Sequence, residues 1–269
     1  MNAEAEILDL TPRTDEILVF DKPASLRSRI THYCPGCHHG VAHRLVAELL
    51  DEMSLRERAI AVGSVGCSVF IYNYLDVDAV EAPHGRSPAA ATGVKRACPD
   101  KFVFTYQGDG DLASIGMGEI IHAASRGEKI SVVFINNAVY GMTGGQMSPT
   151  TPLGQKTTTC SEGRRLEHEG APIRMAEIIA SLGGTAYSAR CSLDSVRNIL
   201  AAKKSLRRAF EAQEKREGLG FVELLSGCPT NWRLDPVQAN AYIRTALIPC
   251  FPLGVFKDKR LAGSEGEGK

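Results

Sequence analysis

Two sets of residues in this sequence have the types and the spacing to do chemistry. The first is Gly108-Asp109-Gly110, followed after 25 intervening residues (111–135) by Asn136-Asn137. Glycines let a backbone approach a phosphate closely. Asp109 and Asn137 supply oxygen donors of the kind Mg2+ takes when it is shared with phosphate, and the carbonyl of Val139, two residues on, completes the protein's share. The gap fits a strand, a helix and a strand, so both motifs are expected on the same edge of a sheet. A tight turn and an unrelated asparagine pair is the competing reading, and the spacing and the strand placement weigh against it.

The second set is cysteine. Of the eight in the chain, Cys34 and Cys37 form a C-x2-C pair around Pro35-Gly36. Cys67 sits in a glycine-containing turn, and Cys228 follows an apolar run in Gly227-Cys228-Pro229. Four thiolates suit either Zn2+ or a [4Fe–4S] cluster. Spacing alone does not choose between them, and it leaves open that Cys67 and Cys228 are small buried residues. Cys98, Cys160, Cys191 and Cys250 have no such pattern and read as packing or surface residues.

The elements that must position these residues alternate. Val41, Leu45 and Leu49 recur at helical spacing, and residues 59–65 read as a buried strand. Ser68 is expected to cap a helix running to 75, and a further helix starts at Ser87-Pro88 and ends before Pro99. Strands at 101–106 and 130–135 flank a helix at 114–125 that Gly127 stops. Residues 138–170 form a long irregular stretch, of the kind that is usually functional. Helix 173–182, strand 185–189, helix 193–215, strand 221–225 and helix 236–247 follow. Residues 1–30 read as an N-terminal arm, 31–256 as the working domain and 257–269 as a flexible charged tail. Such alternation predicts an α/β fold, a mainly parallel sheet with helices on both faces, whose ligands bind at the carboxyl ends of the strands.

Composition narrows the classes. The 269 residues carry 31 Lys+Arg and 31 Asp+Glu, so there is no net charge to serve nucleic acid or an anionic membrane. The uncharged stretch 59–75 contains Gly63, Ser64, Gly66, Ser68 and Asn73, and it is shorter than the ~20 apolar residues of a membrane span. The first ten residues are acidic and lack the basic start and apolar core of a secretory signal. With eight cysteines, this points to the reducing cytoplasm. The basic residues Lys203, Lys204, Arg207, Arg208, Lys215 and Arg216 read as the solvated face of a helix.

The Gly-Asp-Gly and Asn-Asn arrangement resembles the diphosphate motif of thiamine diphosphate enzymes. Tyr33-Cys34-Pro35-Gly36-Cys37, Gly66-Cys67-Ser68, His84-Gly85-Arg86, Gly108-Asp109-Gly110-Asp111 and Tyr140-Gly141-Met142-Thr143-Gly144-Gly145-Gln146 together look like the β subunit of the 2-oxoacid:ferredoxin oxidoreductases. The resemblance runs over about 31–256 and is nearest to the 2-oxoisovalerate and 2-oxoglutarate types. It implies that Cys34, Cys37, Cys67 and Cys228 hold a [4Fe–4S] cluster, and that Asp109, Asn137 and Val139 hold Mg2+. It also implies that Gly66, Cys67, Ser68, His84, Gly108, Asp109, Gly110, Asp111, Asn137, Gly141, Met142 and Thr143 surround thiamine diphosphate, with Arg86 a further pocket contact. Some members carry a lysine at the position of Gly144, linked to coenzyme A, so that contact has no assigned residue here.

The implied activity is CoA-dependent oxidative decarboxylation of a 2-oxo acid, with electrons passed to ferredoxin. An α subunit, and in some assemblies γ and δ subunits, completes the site, because the carboxylate that activates the thiamine ring comes from a separate chain. Two other readings share part of the pattern. A non-oxidative thiamine-dependent decarboxylase subunit needs the diphosphate motif without the four cysteines, and a zinc-binding structural subunit needs the cysteines alone.

Overall fold

The computed structural model describes residue 17 and residues 21–263, and among these the chain forms a seven-stranded sheet. The strands are β1 (Ala59–Gly63), β2 (Asp78–Glu81), β3 (Phe102–Gly108), β4 (Ser131–Asn136), β7 (Thr185–Ser192), β8 (Leu219–Leu225) and β9 (Gly254–Asp258). A separate two-stranded hairpin, β5 (Val139–Tyr140) with β6 (Gln146–Met147), lies between β4 and β7 in the sequence. The sheet order is β2-β1-β3-β4-β8-β7-β9, parallel except for the edge strand β9. Buried apolar runs such as Phe102-Val103-Phe104 and Val132-Val133-Phe134-Ile135 are what a strand covered on both faces requires.

Helix α1 (His39–Glu52) begins directly after the C-x2-C turn, and α2 (Ile71–Tyr74), α3 (Ser87–Ala97) and α4 (Met117–Arg126) follow β1, β2 and β3. The short α5 (Leu166–Glu169) and then α6 (Met175–Ser181) precede β7, and α7 (Val196–Glu214) joins β7 to β8. Leu45, Leu49, Leu206 and Phe210 of α1 and α7 close one face of the sheet over Phe102 and Phe104. Ala91, Ile120, Ala123 and Ile179 of α3, α4 and α6 close the other over Val103 and Phe134.

Register puts the functional turns at one edge. Gly63 pairs with Tyr106, Gly108 with Ile135 and Asn136 with Leu225. The turns carrying Cys67, Asp109, Asn137 and Cys228 therefore leave the sheet side by side. Strand order reverses between β1 and β3, because β1 is followed by β2 on one side and β3 on the other. That reversal opens the crevice in which ligands of such sheets bind.

The structure differs from expectation in several places. Ser68 caps no helix: its hydroxyl donates to the Ser64 carbonyl at 3.2 Å, and the helix starts only at Ile71. The turn before it is set by Gly66, whose φ of +120° no other residue type adopts without strain. The helix expected at 114–125 is divided, with a π-helical turn Asp111–Ile115 ahead of α4, and such turns gather at functional sites. Gly127 does end it, in the left-handed conformation. Strand β2, with all four residues exposed, carries no apolar pattern to announce it. The charged tail begins later than 257, because Lys257 and Asp258 belong to β9, where Asp258 pairs with Arg208. Part of the expected arm is packed: Leu26 bridges to Leu75, and the Ser25 amide donates to Asp51. The rest of the arm, 1–16 and 18–20, and the tail beyond 263 lie outside the described residues.

Candidate active site

The crevice holds two adjoining cavities. The first, of about 170 Å3, is lined by Gly66, Cys67, Ser68, His84, Gly108, Asp109, Gly110, Asp111, Asn137, Val139, Gly141, Met142 and Thr143, with His39, Val65 and Tyr140. Every residue that the sequence assigned to the thiamine and Mg2+ sites is in this lining except Arg86. Arg86 pairs with Glu119 of α4 and donates to the Ile115 carbonyl at 2.8 Å.

Asp109 is buried and held by hydroxyls. Ser148 Oγ and Thr150 Oγ1 donate to its Oδ2 at 2.8 and 2.6 Å, and the Gly110 amide donates to Oδ1 at 2.9 Å. Burial pushes its pKa up to about 6 against these hydrogen bonds. Gly110 lies under the Tyr140 ring, where a Cβ would collide with it. Gly108 and Gly66 have open space where a side chain would stand, a bare backbone facing the cavity.

Asp111 has a different task. Its Oδ1 accepts from Ser64 Oγ at 2.9 Å and from the Gly85 amide at 2.5 Å, and its Oδ2 accepts from Gln107. It knits the turns after β1, β2 and β3 together. His84 Nδ1 stands 2.7 Å from the same carboxylate but out of line for a hydrogen bond. Gly85, at φ +79°, packs so tightly on Ile115 and Gly116 that a Cβ would come within 2.8 Å of a backbone nitrogen.

The second cavity, of about 330 Å3, is lined by Cys34, Cys37, Cys67 and Cys228 together with His32, Tyr33, Pro229, Thr230 and Asn231. Two contacts bring its distant parts together. The Gly227 amide donates to His38 Nδ1 at 3.0 Å, and Gly36, at φ +77°, packs against Pro236 of α9 (Pro236–Tyr242), which follows α8 (Pro229–Trp232). Asn231 Nδ2 donates to Cys228 Sγ at 3.2 Å and to the Gly141 carbonyl at 2.8 Å. Burial, with the neighbouring cysteines adding to it, pushes the Cys37 thiol up to about 12 and the Cys67 thiol to about 11, and burial raises Cys228 as well. A thiol binds metal only after losing its proton, so any ligation by these residues would be coupled to proton release. Cys67, His39, Asn137, Gly141 and Met142 line both cavities, so a single wall separates them. Among the described residues, no three His, Cys, Asp or Glu converge closely enough to hold one metal ion.

Several of these residues carry no signal in the sequence that marks them for the site. Ser148, Thr150 and Asn231 lay in stretches whose hydroxyl and amide content was visible but whose partners were not. A buried aromatic cluster behind the wall is equally unmarked. His39 Nδ1 meets the Tyr106 hydroxyl at 2.8 Å, Tyr33 stacks on His39, and the Tyr33 hydroxyl meets His43 Nε2 at 3.1 Å. His43 is fully buried with Nδ1 unpartnered, and burial holds its pKa well below the ordinary value. The unfolded chain takes up a proton below about pH 6.5 that the native chain refuses, so stability is full above that pH and falls as pH drops through it. The expected loss is about 1.4 kcal/mol per pH unit. Urea unfolding of wild type and His43→Gln at pH 7.5 and 5.5 checks this. The acid loss shrinks in the variant, and an equal loss in both would contradict it.

Residues 64–223 match the thiamine pyrophosphate enzyme C-terminal TPP binding domain. The 2-oxoglutarate synthase subunit KorB of Methanocaldococcus jannaschii is 39% identical over 206 residues, covering 76% of this chain and 72% of that one. The chain belongs to the 2-oxoacid:ferredoxin oxidoreductase family. The ketoisovalerate oxidoreductase subunit VorA of Methanothermobacter thermautotrophicus is 46% identical over 241 residues, 90% of this chain but 50% of VorA. The chain thus spans about half the length of the VorA proteins it matches. In fold it is similar to a 2-oxoglutarate:ferredoxin oxidoreductase from Magnetococcus marinus, solved with 2-oxoglutarate, coenzyme A and succinyl-CoA bound. That likeness has a TM-score of 0.72 at 23% identity, over 93% of this chain and 91% of the other. The seven-stranded, mostly parallel sheet is the thiamine diphosphate-binding fold of this family.

Proposed function

We propose that this chain is the β subunit of a 2-oxoacid:ferredoxin oxidoreductase, holding thiamine diphosphate with Mg2+ in the first cavity and a [4Fe–4S] cluster in the second. The observation that carries the reading is the shared wall. One set of residues prepares a diphosphate and metal site, another gathers four thiols, and Cys67 belongs to both. When bound, thiamine diphosphate supplies an electron sink for decarboxylating a 2-oxo acid, and the cluster takes electrons one at a time toward ferredoxin.

The chain's own residues have defined tasks. Asp109, Asn137 and the Val139 carbonyl hold Mg2+, which needs only one or two protein carboxylates when phosphate oxygens share it. The open backbone at Gly108 and Gly66 admits the diphosphate. Cys34, Cys37, Cys67 and Cys228 all line the second cavity, and four thiolates suit a [4Fe–4S] cluster or Zn2+; the family's ferredoxin-linked chemistry favours the cluster. Thr150→Val removes a hydrogen bond to a charged group and is expected to weaken Mg2+-dependent thiamine diphosphate binding about tenfold, measured by titration calorimetry.

The site calls for a partner. Among the described residues, the carboxylates in the first cavity are Asp109 and Asp111, and both already accept hydrogen bonds within the chain. Glu119 is tied to Arg86. None of these is free to activate a thiamine ring, which supports an α subunit as the source of that group. Val65 and Met142 are exposed apolar side chains in the lining of the first cavity, fitting for a subunit contact. Coenzyme A is the acyl acceptor in this reading, the assembly is cytoplasmic, and among the described residues no helix is long and apolar enough to cross a membrane. The test is turnover. With a 2-oxo acid and coenzyme A, the chain plus its α subunit reduces ferredoxin while the isolated, cofactor-loaded chain does not. Full turnover by the isolated chain would refute the two-subunit reading.

A further inference from the structure

Asn136 is the half of the Asn-Asn pair that takes no part in the proposed metal site, yet its side chain is completely buried. Its two amide atoms face opposite partners. Nδ2 donates to Glu223 Oε1 at 2.7 Å, and Oδ1 accepts from the Ala138 amide at 3.1 Å. Glu223 is a lone charge inside the apolar strand β8, two residues before Leu225, the cross-strand partner of Asn136. The two side chains are therefore diagonal neighbours on one face of the sheet. Glu223 is itself anchored. Arg190, its cross-strand partner on β7, places Nε 2.9 Å from Oε2, and the Ala176 amide donates to Oε2 at 3.3 Å.

Ala138, between Asn137 and Val139, is a non-glycine residue in the left-handed conformation, with φ +61°. Such a residue persists only where its surroundings hold it. Asn136 grips its N–H, and Thr151 Oγ1 grips its carbonyl at 2.7 Å. We infer that Glu223 is a positioning residue for the diphosphate metal site: by accepting from Asn136 it fixes which way that amide faces, and so holds the left-handed Ala138 turn that presents Asn137 and the Val139 carbonyl. The inference rests on the Mg2+ site proposed above. A carboxylate only accepts, so the Asn136 NH2 must face it and the carbonyl oxygen must face Ala138.

That polarity can be inverted and restored. Glu223→Gln turns its oxygen toward the Arg190 and Ala176 donors and its NH2 toward Asn136. Asn136 must then present its oxygen to the glutamine and its NH2 to the Ala138 N–H, donor against donor. Asn136→Asp leaves the Ala138 bond possible but sets two carboxylates face to face. With both changes, the aspartate accepts from the glutamine NH2 and from Ala138, and the buried charge is conserved.

The experiment measures the affinity of the purified, cluster-loaded oligomer for thiamine diphosphate with Mg2+, by calorimetry, together with iron content. Each single variant is expected to weaken binding about tenfold or more, the cost of losing a buried charge-assisted hydrogen bond, while the double variant returns to within about threefold of wild type. Iron content stays at the wild-type level throughout. A Glu223→Gln chain with wild-type affinity, or a double variant no tighter than Asn136→Asp, overturns the relay. Should Glu223→Gln fail to fold, the comparison of Asn136→Asp with the double variant decides alone. Asp109→Ala is measured alongside. If it too binds normally, the metal site lies elsewhere and the relay falls with it; if it loses binding while Glu223→Gln does not, only the relay is wrong.

Discussion

Cys67→Ala is expected to strip iron from the chain and abolish ferredoxin reduction, whereas Cys98→Ala keeps both. Cys67 leaves the sheet on the turn after β1 and lines the four-cysteine cavity and the diphosphate cavity alike. Its Sγ lies so near Gly141 that a Cβ on that glycine would stand 3.3 Å from it. Removing it deletes one of four ligands and opens the wall between the cavities. Cys34→Ala, Cys37→Ala and Cys228→Ala should lose iron too. Cys98 is exposed at the end of α3 and lines neither cavity. Iron and acid-labile sulfide assays on anaerobically purified variants check the set. Full cluster occupancy in Cys228→Ala would remove it as the fourth ligand.

Asp109→Ala is expected to lose thiamine diphosphate altogether at micromolar cofactor. The carboxylate is the charge partner for the metal that neutralises the diphosphate, and its replacement leaves Ser148 and Thr150 donating into an empty pocket. The loss should exceed about 100-fold in affinity, equal to roughly 3 kcal/mol. Iron content should be unchanged, because Asp109 borders only the first cavity. Retention of thiamine at wild-type affinity would place the metal elsewhere.

Much of the frame was legible because buried parallel strands are written as apolar runs. Ala59–Gly63, Phe102–Gly108 and Ser131–Asn136 are such runs, and their carboxyl ends are marked by glycine and asparagine. The spacing from Asp109 to Asn137 translates directly into two turns on adjacent strands. What was not legible depends on tertiary partners. Nothing local in Asp78–Glu81 or Lys257-Asp258 distinguishes an edge strand from a loop. The hydroxyls of Ser148 and Thr150 acquire a purpose only when the loop folds back onto Asp109. Glu223 did leave a signal, a single carboxylate in the middle of Phe221-Val222-Glu223-Leu224-Leu225, where apolar residues alone suffice for packing. Arg86 illustrates the reverse: its motif neighbour His84 lines the cavity while its own side chain turns away to Glu119.

The metal, sulfide and thiamine content of the protein, purified without oxygen together with its partner subunit, decides whether it holds both cofactors. One [4Fe–4S] cluster and one thiamine diphosphate per chain are expected, with iron and labile sulfide in equal amounts and zinc absent. Stoichiometric zinc without sulfide would contradict this in favour of a structural zinc site, and thiamine without iron would leave a decarboxylase subunit in its place.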